Sequence, residues 1–102
     1  MATFYHIVSN QDFLAFADGE FYCPPSLDKE GFVHFSTDEQ WPKTLKRFYK
    51  GVSDLWLLAI DSSKLDQEVV FEDLYDHGDD FPHYYGKVPL SAIVSKRKLD
   101  HD

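Results

Sequence analysis

Three titratable side chains lie in apolar surroundings, and these are the residues of this sequence that could do acid–base chemistry. His34 lies in GFVHFS between aromatic and β-branched neighbours, His83 lies in FPHYYG, and Glu72 ends the apolar run EVVFE. An imidazole titrates near neutrality and can donate or accept a proton. A carboxylate at the end of an apolar strand must be solvated or paired. We therefore take His34, Glu72 and His83 as the candidate catalytic residues.

Each candidate also has a purely structural explanation, and the sequence leaves both open. His34 could be a half-buried histidine that a backbone carbonyl satisfies. His83 could belong to a packed aromatic turn, in which Gly86 permits an unusual backbone angle. Glu72 could be an exposed strand end. His6, in the aromatic context of the first strand, is better explained as a structural histidine than as a catalytic one.

Several other kinds of site are disfavoured by the absence of their motifs. The sequence has no Walker loop, no glycine-rich dinucleotide fingerprint, no nucleophile elbow and no paired cysteines. Two histidines and a carboxylate could hold iron or zinc, but no ligand spacing supports this, so we predict no metal. The acidic residues of the loop 73–80 do not match a calcium-binding loop, and we attribute them to turn chemistry.

Length and composition indicate one small domain over residues 1–102. The 102 residues are 43% hydrophobic and 17% aromatic, which suffices for a core. The formal net charge of −8 argues against general binding to nucleic acids or anionic membranes, although not against a small anionic ligand. Cys23 is the single cysteine, which fits a reducing compartment. The start of the sequence lacks the pattern of a secretory signal, and no apolar run approaches the roughly 20 residues of a membrane span. We expect a cytoplasmic protein.

The hydrophobic pattern predicts the elements that must position the candidates, in the order β-α-β-α-β-β-β. The predicted strands cover residues 3–8, 31–36, 54–61, 68–72 and 88–95. The strand 54–61 is nearly continuous in apolar residues and should be central. A helix should begin at the cap Ser9 and end near Asp18. Residues 20–30 form a loop with at most one helical turn, and the polar tail 96–102 should fray. Pro82 should prevent a regular central strand at 81–86.

The second helix is predicted to have an apolar face and a basic face. Thr37-x-x-Gln40 reads as its capping box, while Pro42 leaves two starts open, one near Glu39 and one after a short turn. Its apolar face comprises Trp41, Leu45 and Phe48. Its basic face comprises Lys43, Lys46, Arg47 and Lys50. A basic face could bind phosphate, but a solvated surface near the helix end is the better explanation.

The strings GFVHFST, EQW and FPHYYG, together with Glu72, carry a resemblance to a known family. The chain resembles the bacterial domain-of-unknown-function family 952 over nearly its whole length. It departs from the family pattern at Phe71, where Trp is frequent, and at Tyr84, where an aliphatic residue is frequent.

That family is similar in fold to the ADP-ribosyltransferases. The resemblance therefore implies an α+β domain with a split, twisted sheet, two or three helices and a cleft that binds an NAD- or ADP-ribose-like ligand. His34-x-Ser36 looks like the His-hydrophobic-Ser segment of the RNA 2′-phosphotransferases, and His6 falls near the first-strand histidine of that clade. Glu72 would take the place of the glutamate found in many transferases.

The leading hypothesis is a protein that binds this nucleotide and transfers or hydrolyses at its ribose. Such a reaction passes through a cationic ribosyl state, which Glu72 would stabilise while His34 holds the ribose. The predicted ligand-binding residues are His6, Ser36, Thr37, Gln40, Tyr84, Tyr85 and Gly86. The alternatives are a non-catalytic ligand-binding or interaction module and a metal-dependent hydrolase. We expect His34 and His83 to face one cavity; the sequence does not determine the oligomeric state.

Overall fold

The described part of the chain is built from eight strands in three small antiparallel sheets, with three α-helices around them. This computed structural model describes residues 2–73 and 78–99. The strands are β1 (Thr3–Ser9), β2 (Phe21–Tyr22), β3 (Val33–His34), β4 (Leu55–Asp61), β5 (Val70–Glu72), β6 (Phe81–Tyr84), β7 (Val88–Pro89) and β8 (Ile93–Lys98). The helices are α1 (Asn10–Phe16), α2 (Pro25–Lys29) and α3 (Trp41–Phe48), and two 3-10 turns lie at Ser62–Lys64 and Leu90–Ala92. The predicted single α+β domain is confirmed.

The largest sheet has β4 at its centre, as predicted, in the order β1-β4-β8. Alternate side chains of β4 point to opposite faces of the sheet. Leu58 and Ile60 enter the main core with Phe4, whereas Leu55 and Leu57 enter a second core. Helix α3 covers that second core. Both faces of β4 are therefore buried, which explains its nearly continuous apolar sequence.

The second sheet has the order β3-β6-β5, so Pro82 lies in a central strand, and our prediction about Pro82 is wrong. Its carbonyl still accepts the N–H of Phe35 at 2.9 Å. Proline has no N–H to return, so the ladder between β3 and β6 ends there. A central proline is tolerated because the chain leaves this sheet immediately after Phe35.

The segment after β3 joins the two larger sheets. Ser36 exchanges two backbone hydrogen bonds with Tyr5 of β1, at 2.7 and 2.8 Å. The predicted strand 31–36 is therefore a two-residue strand in one sheet followed by a bridge to the other. The segment 33–36 therefore contacts the sheet that contains β6 through β3 and the sheet that contains β4 through Ser36.

The predicted cap of the first helix is confirmed, whereas α3 begins after its predicted capping box, with Gln40 at the N-cap position and no side-chain cap. Ser9 accepts the N–H of Asp12 at 3.1 Å and caps α1. A short turn at 38–40 precedes α3, which settles the alternatives left open by Pro42. Trp41 and Leu45 pack on the second core as expected. Phe48, predicted to be apolar-facing, is instead 55% exposed.

Two further segments are more ordered than predicted. The predicted loop 20–30 contains α2 and also β2, which pairs with β7. The tail does not fray from residue 96, since Lys96, Arg97 and Lys98 pair with β4. The predicted strand 88–95 begins as β7 and a 3-10 turn, and only then continues as β8. Residues 100–102 and the acidic Asp76 lie outside the described residues.

Replacing Leu58 by Ala should lower the free energy of unfolding by about 2–5 kcal/mol, because Leu58 is fully buried in the central strand. Urea unfolding followed by circular dichroism measures this. Leu14→Ala is the matched control, since Leu14 is 63% exposed on α1 and should change stability by about 0.5 kcal/mol or less. Equal losses in the two variants would contradict the assignment of the core.

Candidate functional site

A cleft of about 790 Å³ opens beside β1 and the paired strands β3 and β6. This volume falls in the range of about 300–1,000 Å³ typical of small-molecule sites. One part of its wall is apolar and includes Phe16, Pro24, Pro25, Phe48, Val52 and Phe81. Another part carries polar groups from His6, Tyr22, His34, Ser36 and His83. The cleft thus combines an apolar surface for a ring with polar groups that could orient it.

His34 and His83 line this same cleft, as we expected from the sequence. They are direct partners in the antiparallel register of β3 and β6, so their side chains lie on one face of the sheet. Their ring centroids are 5.4 Å apart and the rings meet edge to face. Phe32 stacks on His83 at 4.2 Å between centroids, and only 1% of His83 is exposed. The two imidazoles form a fixed pair.

Each imidazole of the pair makes a hydrogen bond to a carboxylate. His83 Nδ1–H donates to Glu72 Oε1 at 3.0 Å, and His34 Nε2–H donates to Glu30 Oε1 at 3.1 Å. A carboxylate in this position fixes the tautomer and ring orientation of its histidine. Sequence reasoning missed Glu30, because a glutamate at the end of a charged turn, four residues before His34, looks like an ordinary surface residue.

Glu72 is not among the residues that line the cleft, and it contacts the cleft wall through His83. Its Oε1 also accepts the hydroxyl of Tyr85 at 2.5 Å. These hydrogen bonds, from Tyr85 first and His83 second, lower the pKa of Glu72, and the same contact raises the pKa of Tyr85. Glu72 therefore holds the ring of His83 in place as a carboxylate, and its predicted role as the stabiliser of a cation stays a prediction.

His6 connects two strands and also reaches the cleft. Its Nδ1 lies 2.6 Å from the carbonyl oxygen of His34, and its Nε2 lies 2.7 Å from the hydroxyl of Tyr22. Burial lowers the pKa of His6 to about 4, so the ring is neutral at pH 7. A carbonyl can only accept, so Nδ1–H donates to it and Tyr22 donates to Nε2. Burial also raises the pKa of Tyr22, which keeps its proton available.

Ser36 is a polar residue of the cleft wall whose side chain is left for a ligand. The residue is 7% exposed. Its backbone is used by the bridge to Tyr5, whereas its hydroxyl makes no hydrogen bond to any residue in the described ranges 2–73 and 78–99. A nearly buried hydroxyl without a protein partner readily binds a ligand atom or water.

Five predicted ligand-binding residues lie away from the cleft and have structural roles. Thr37 and Gln40 satisfy each other's backbone N–H groups, and Gln40 also donates to the carbonyl of Asp80 at 2.7 Å. Tyr84 is 1% exposed in the core, so it cannot stack on a ligand. The remaining two are Tyr85 and Gly86.

The hydroxyl of Tyr85 donates a hydrogen bond to Glu72, and Gly86 allows two neighbouring side chains to pack closely. A Cβ on Gly86 would lie 3.1 Å from the Gln67 side chain and 3.3 Å from the Tyr84 ring. A glycine is therefore favoured at position 86 because the Gln67 and Tyr84 side chains lie close to it, and not because of the unusual backbone angle that we predicted.

The described residues contain neither a cluster of metal ligands nor a helix suited to crossing a membrane. Across ranges 2–73 and 78–99, no group of three or more His, Cys, Asp or Glu side chains is arranged to hold a metal ion. Within the same part of the chain, no helix combines the length and apolar character that crossing a membrane requires.

The comparisons with known proteins identify a family and a structural relative. The family described as "Protein of unknown function (DUF952)" matches residues 7–96. A crystal structure of protein CC0527 from Caulobacter crescentus is similar, with 27% identity, a TM-score of 0.82 and coverage of 98% of this chain and 88% of that one. The solution structure of CC0527 has 30% identity and a TM-score of 0.80, and covers 100% and 88%. No curated protein matches the chain.

Acidification should destabilise the fold through His6 before the carboxylates titrate. The pKa of His6 is about 4 in the folded chain against 6.5 as an ordinary value, so the unfolded state binds the proton first. The free energy of unfolding should therefore fall as the pH drops from 6.5 towards 4, by up to about 3 kcal/mol. Urea unfolding at several pH values measures the slope. His6→Asn, which retains one donor, should flatten it; an unchanged slope in this variant would refute the assignment.

Removing the hydroxyl of Tyr85 should raise the pKa of Glu72 towards its ordinary value, because the hydrogen bond from Tyr85 is the largest cause of the lowering. Carboxyl carbon NMR of Tyr85→Phe through an acid titration measures this. Tyr5→Phe removes the same group elsewhere and should leave Glu72 unchanged. If Glu72 titrates at the same pH in Tyr85→Phe as in the parent chain, the hydrogen bond from Tyr85 does not lower its pKa.

Proposed function

The chain belongs to the DUF952 family of unknown function, and we propose that it binds an NAD- or ADP-ribose-like nucleotide in the cleft beside His34 and His83. The observation that carries this proposal is the pair of imidazoles, each hydrogen-bonded to a carboxylate, on the polar part of the wall of a cleft whose other part is apolar. Polar groups that are fixed at one side of an apolar pocket are typical of a site that orients a ligand. The resemblance to ADP-ribosyltransferases stays a prediction, because none of the described relatives tests it.

The wall of the cleft matches the parts of a nucleoside. Phe16, Pro24 and Pro25 supply apolar surface for a planar base. The hydroxyl of Ser36 and the imidazole of His34 supply the hydrogen bonds that ribose hydroxyls require. In this arrangement the base lies on the apolar wall and the ribose faces the histidines.

The His83–Glu72 pair supports hydrolysis at the ribose as the accompanying reaction. With Nδ1–H donated to Glu72, a neutral His83 has Nε2 as its proton acceptor. A water molecule would add to C1′ of the ribose, its proton would pass to Nε2, and the glycosidic electron pair would leave with the base. Glu72 would stabilise the imidazolium that forms, as the carboxylate of a His–carboxylate pair does.

A binding module without turnover is the second candidate, and the burial of His83 favours it. Only 1% of this residue is exposed, because Phe32 covers one face of its ring. A general base must lie within hydrogen-bond reach of the proton that it takes. In the binding module, His83 would fix His34 and the cleft wall rather than act on the ligand.

Amide NMR titration with NAD and ADP-ribose tests the binding. We expect saturable shifts around His34, Ser36 and His83, and a loss of affinity of about tenfold in Ser36→Ala, which removes one hydrogen bond to the ligand. Ser95→Ala makes the same change on the exposed strand β8 and should bind like the parent chain. Shifts confined to other surfaces, or equal affinity in both variants, would refute the site.

Release of nicotinamide from NAD then separates the enzyme from the binding module. If the chain is a hydrolase, His83→Gln should lower the rate by about 10²–10⁴-fold while retaining binding. Glu72→Gln should lower it less, because the carboxylate acts through His83. Saturable binding of NAD without release would leave the binding module as the function.

A further inference from the structure

A small hollow beside the cleft places basic side chains at its rim. The hollow has a volume of about 50 Å³ and shares Thr44, Phe48 and Phe81 with the cleft. Its other lining residues are Gln40, Lys43, Arg47 and Asp79. No lysine or arginine lies among the described residues that line the cleft itself. Positive charge is therefore found next to the cleft and not within it.

The two basic residues of the hollow come from one side of helix α3. Lys43 and Arg47 are four residues apart, so their side chains are neighbours on the helix surface. Neither makes a salt bridge with a residue in the described ranges, and Arg47 lies over the ring of Phe48 at 5.8 Å from its centroid. Lys46 and Lys50, on the same helix, do not line the hollow. The basic face that we predicted to be solvated therefore has two parts, one that lines the hollow and one that does not.

The position of the hollow relative to the histidines matches the length of a nucleotide. Phe81 and His83 are two residues apart on β6, so their side chains lie on the same face at a separation of roughly 7 Å along the strand. Phe81 lines both the cleft and the hollow. A ligand whose ribose faces the histidines would therefore place a phosphate beside Phe81, at the hollow.

We propose that Lys43 and Arg47 bind a phosphate group of the ligand, with its nucleoside part in the cleft. This inference rests on the proposed function and specifies the ligand further as a phosphorylated nucleoside. Arginine binds phosphate oxygens through two parallel N–H bonds, and lysine adds a second charge. Asp79 carries the opposing charge in the same hollow, so the two cations leave a net charge of +1, which neutralises part of the charge of about −2 on a terminal phosphate group.

The test compares adenosine with adenosine 5′-monophosphate, which differ by one phosphate group. We expect the monophosphate to bind about tenfold more tightly, measured by calorimetry at moderate salt. Lys43→Gln with Arg47→Gln should abolish this difference and leave adenosine binding unchanged. Lys46→Gln with Lys50→Gln removes the same charge from the same helix and should retain the difference. Equal binding of the two ligands by the parent chain would overturn the proposal, as would equal losses in the two double variants.

A second probe separates this inference from the proposed function. Inorganic pyrophosphate needs no nucleoside pocket, so amide NMR should show saturable shifts at Thr44 and Arg47 that disappear in the Lys43→Gln, Arg47→Gln variant. If neither adenosine nor its monophosphate binds but pyrophosphate does, the nucleoside site fails and the anion site stands. If adenosine binds and pyrophosphate produces no shifts there, the cleft stands and the anion site is overturned.

Discussion

The attachment of residues 33–36 to both larger sheets is the constraint on which the rest of the structure depends. Phe35 donates to the central strand of one sheet, and Ser36 exchanges two hydrogen bonds with the edge strand of the other. His6 strengthens the same junction from the side, since its ring bonds to the carbonyl of His34. Without this junction, β3 would be a two-residue strand with few bonds of its own. The neutral state of His6 follows from its place at the junction, because a charged ring there would lose its hydration.

The junction also forms part of the cleft wall. His34 and Ser36 lie on the two sides of the point where the chain passes from one sheet to the other, and both line the cleft. The groups proposed to hold a ribose are therefore fixed by the backbone bonds that hold the sheets together. We infer that stability and ligand orientation share the same few hydrogen bonds, so a variant at His6, whose ring makes one of them, should disturb both.

The sequence predicted the features that depend on residues close together in the chain and missed those that depend on distant partners. Strands β1 and β4 and the cap at Ser9 followed from periodicity and residue type. That His34 and His83 share one cavity was expected but could not be derived from the sequence, because their pairing joins strands that are far apart in the chain. The central place of Pro82 could not be derived either, because its tolerance depends on a neighbouring strand that ends one residue earlier. Tyr84 looked like a stacking residue, yet its ring packs on Phe35 and its hydroxyl accepts the N–H of Asp66. Such roles are set by distant partners that no local pattern reports.

The position of Glu72 decides which chemistry the cleft can support. A glutamate that contacts the ribose could stabilise a cationic ribosyl state directly, whereas this carboxylate is hydrogen-bonded to His83 and is not among the residues that line the cleft. Through that hydrogen bond it can orient the ring and favour its protonated form. The proposed hydrolysis would then depend on proton transfer at His83 and on the binding energy of the rest of the ligand. A phosphate group at Lys43 and Arg47 would supply that binding energy at a point remote from the reacting bond, where it can hold the ribose in place.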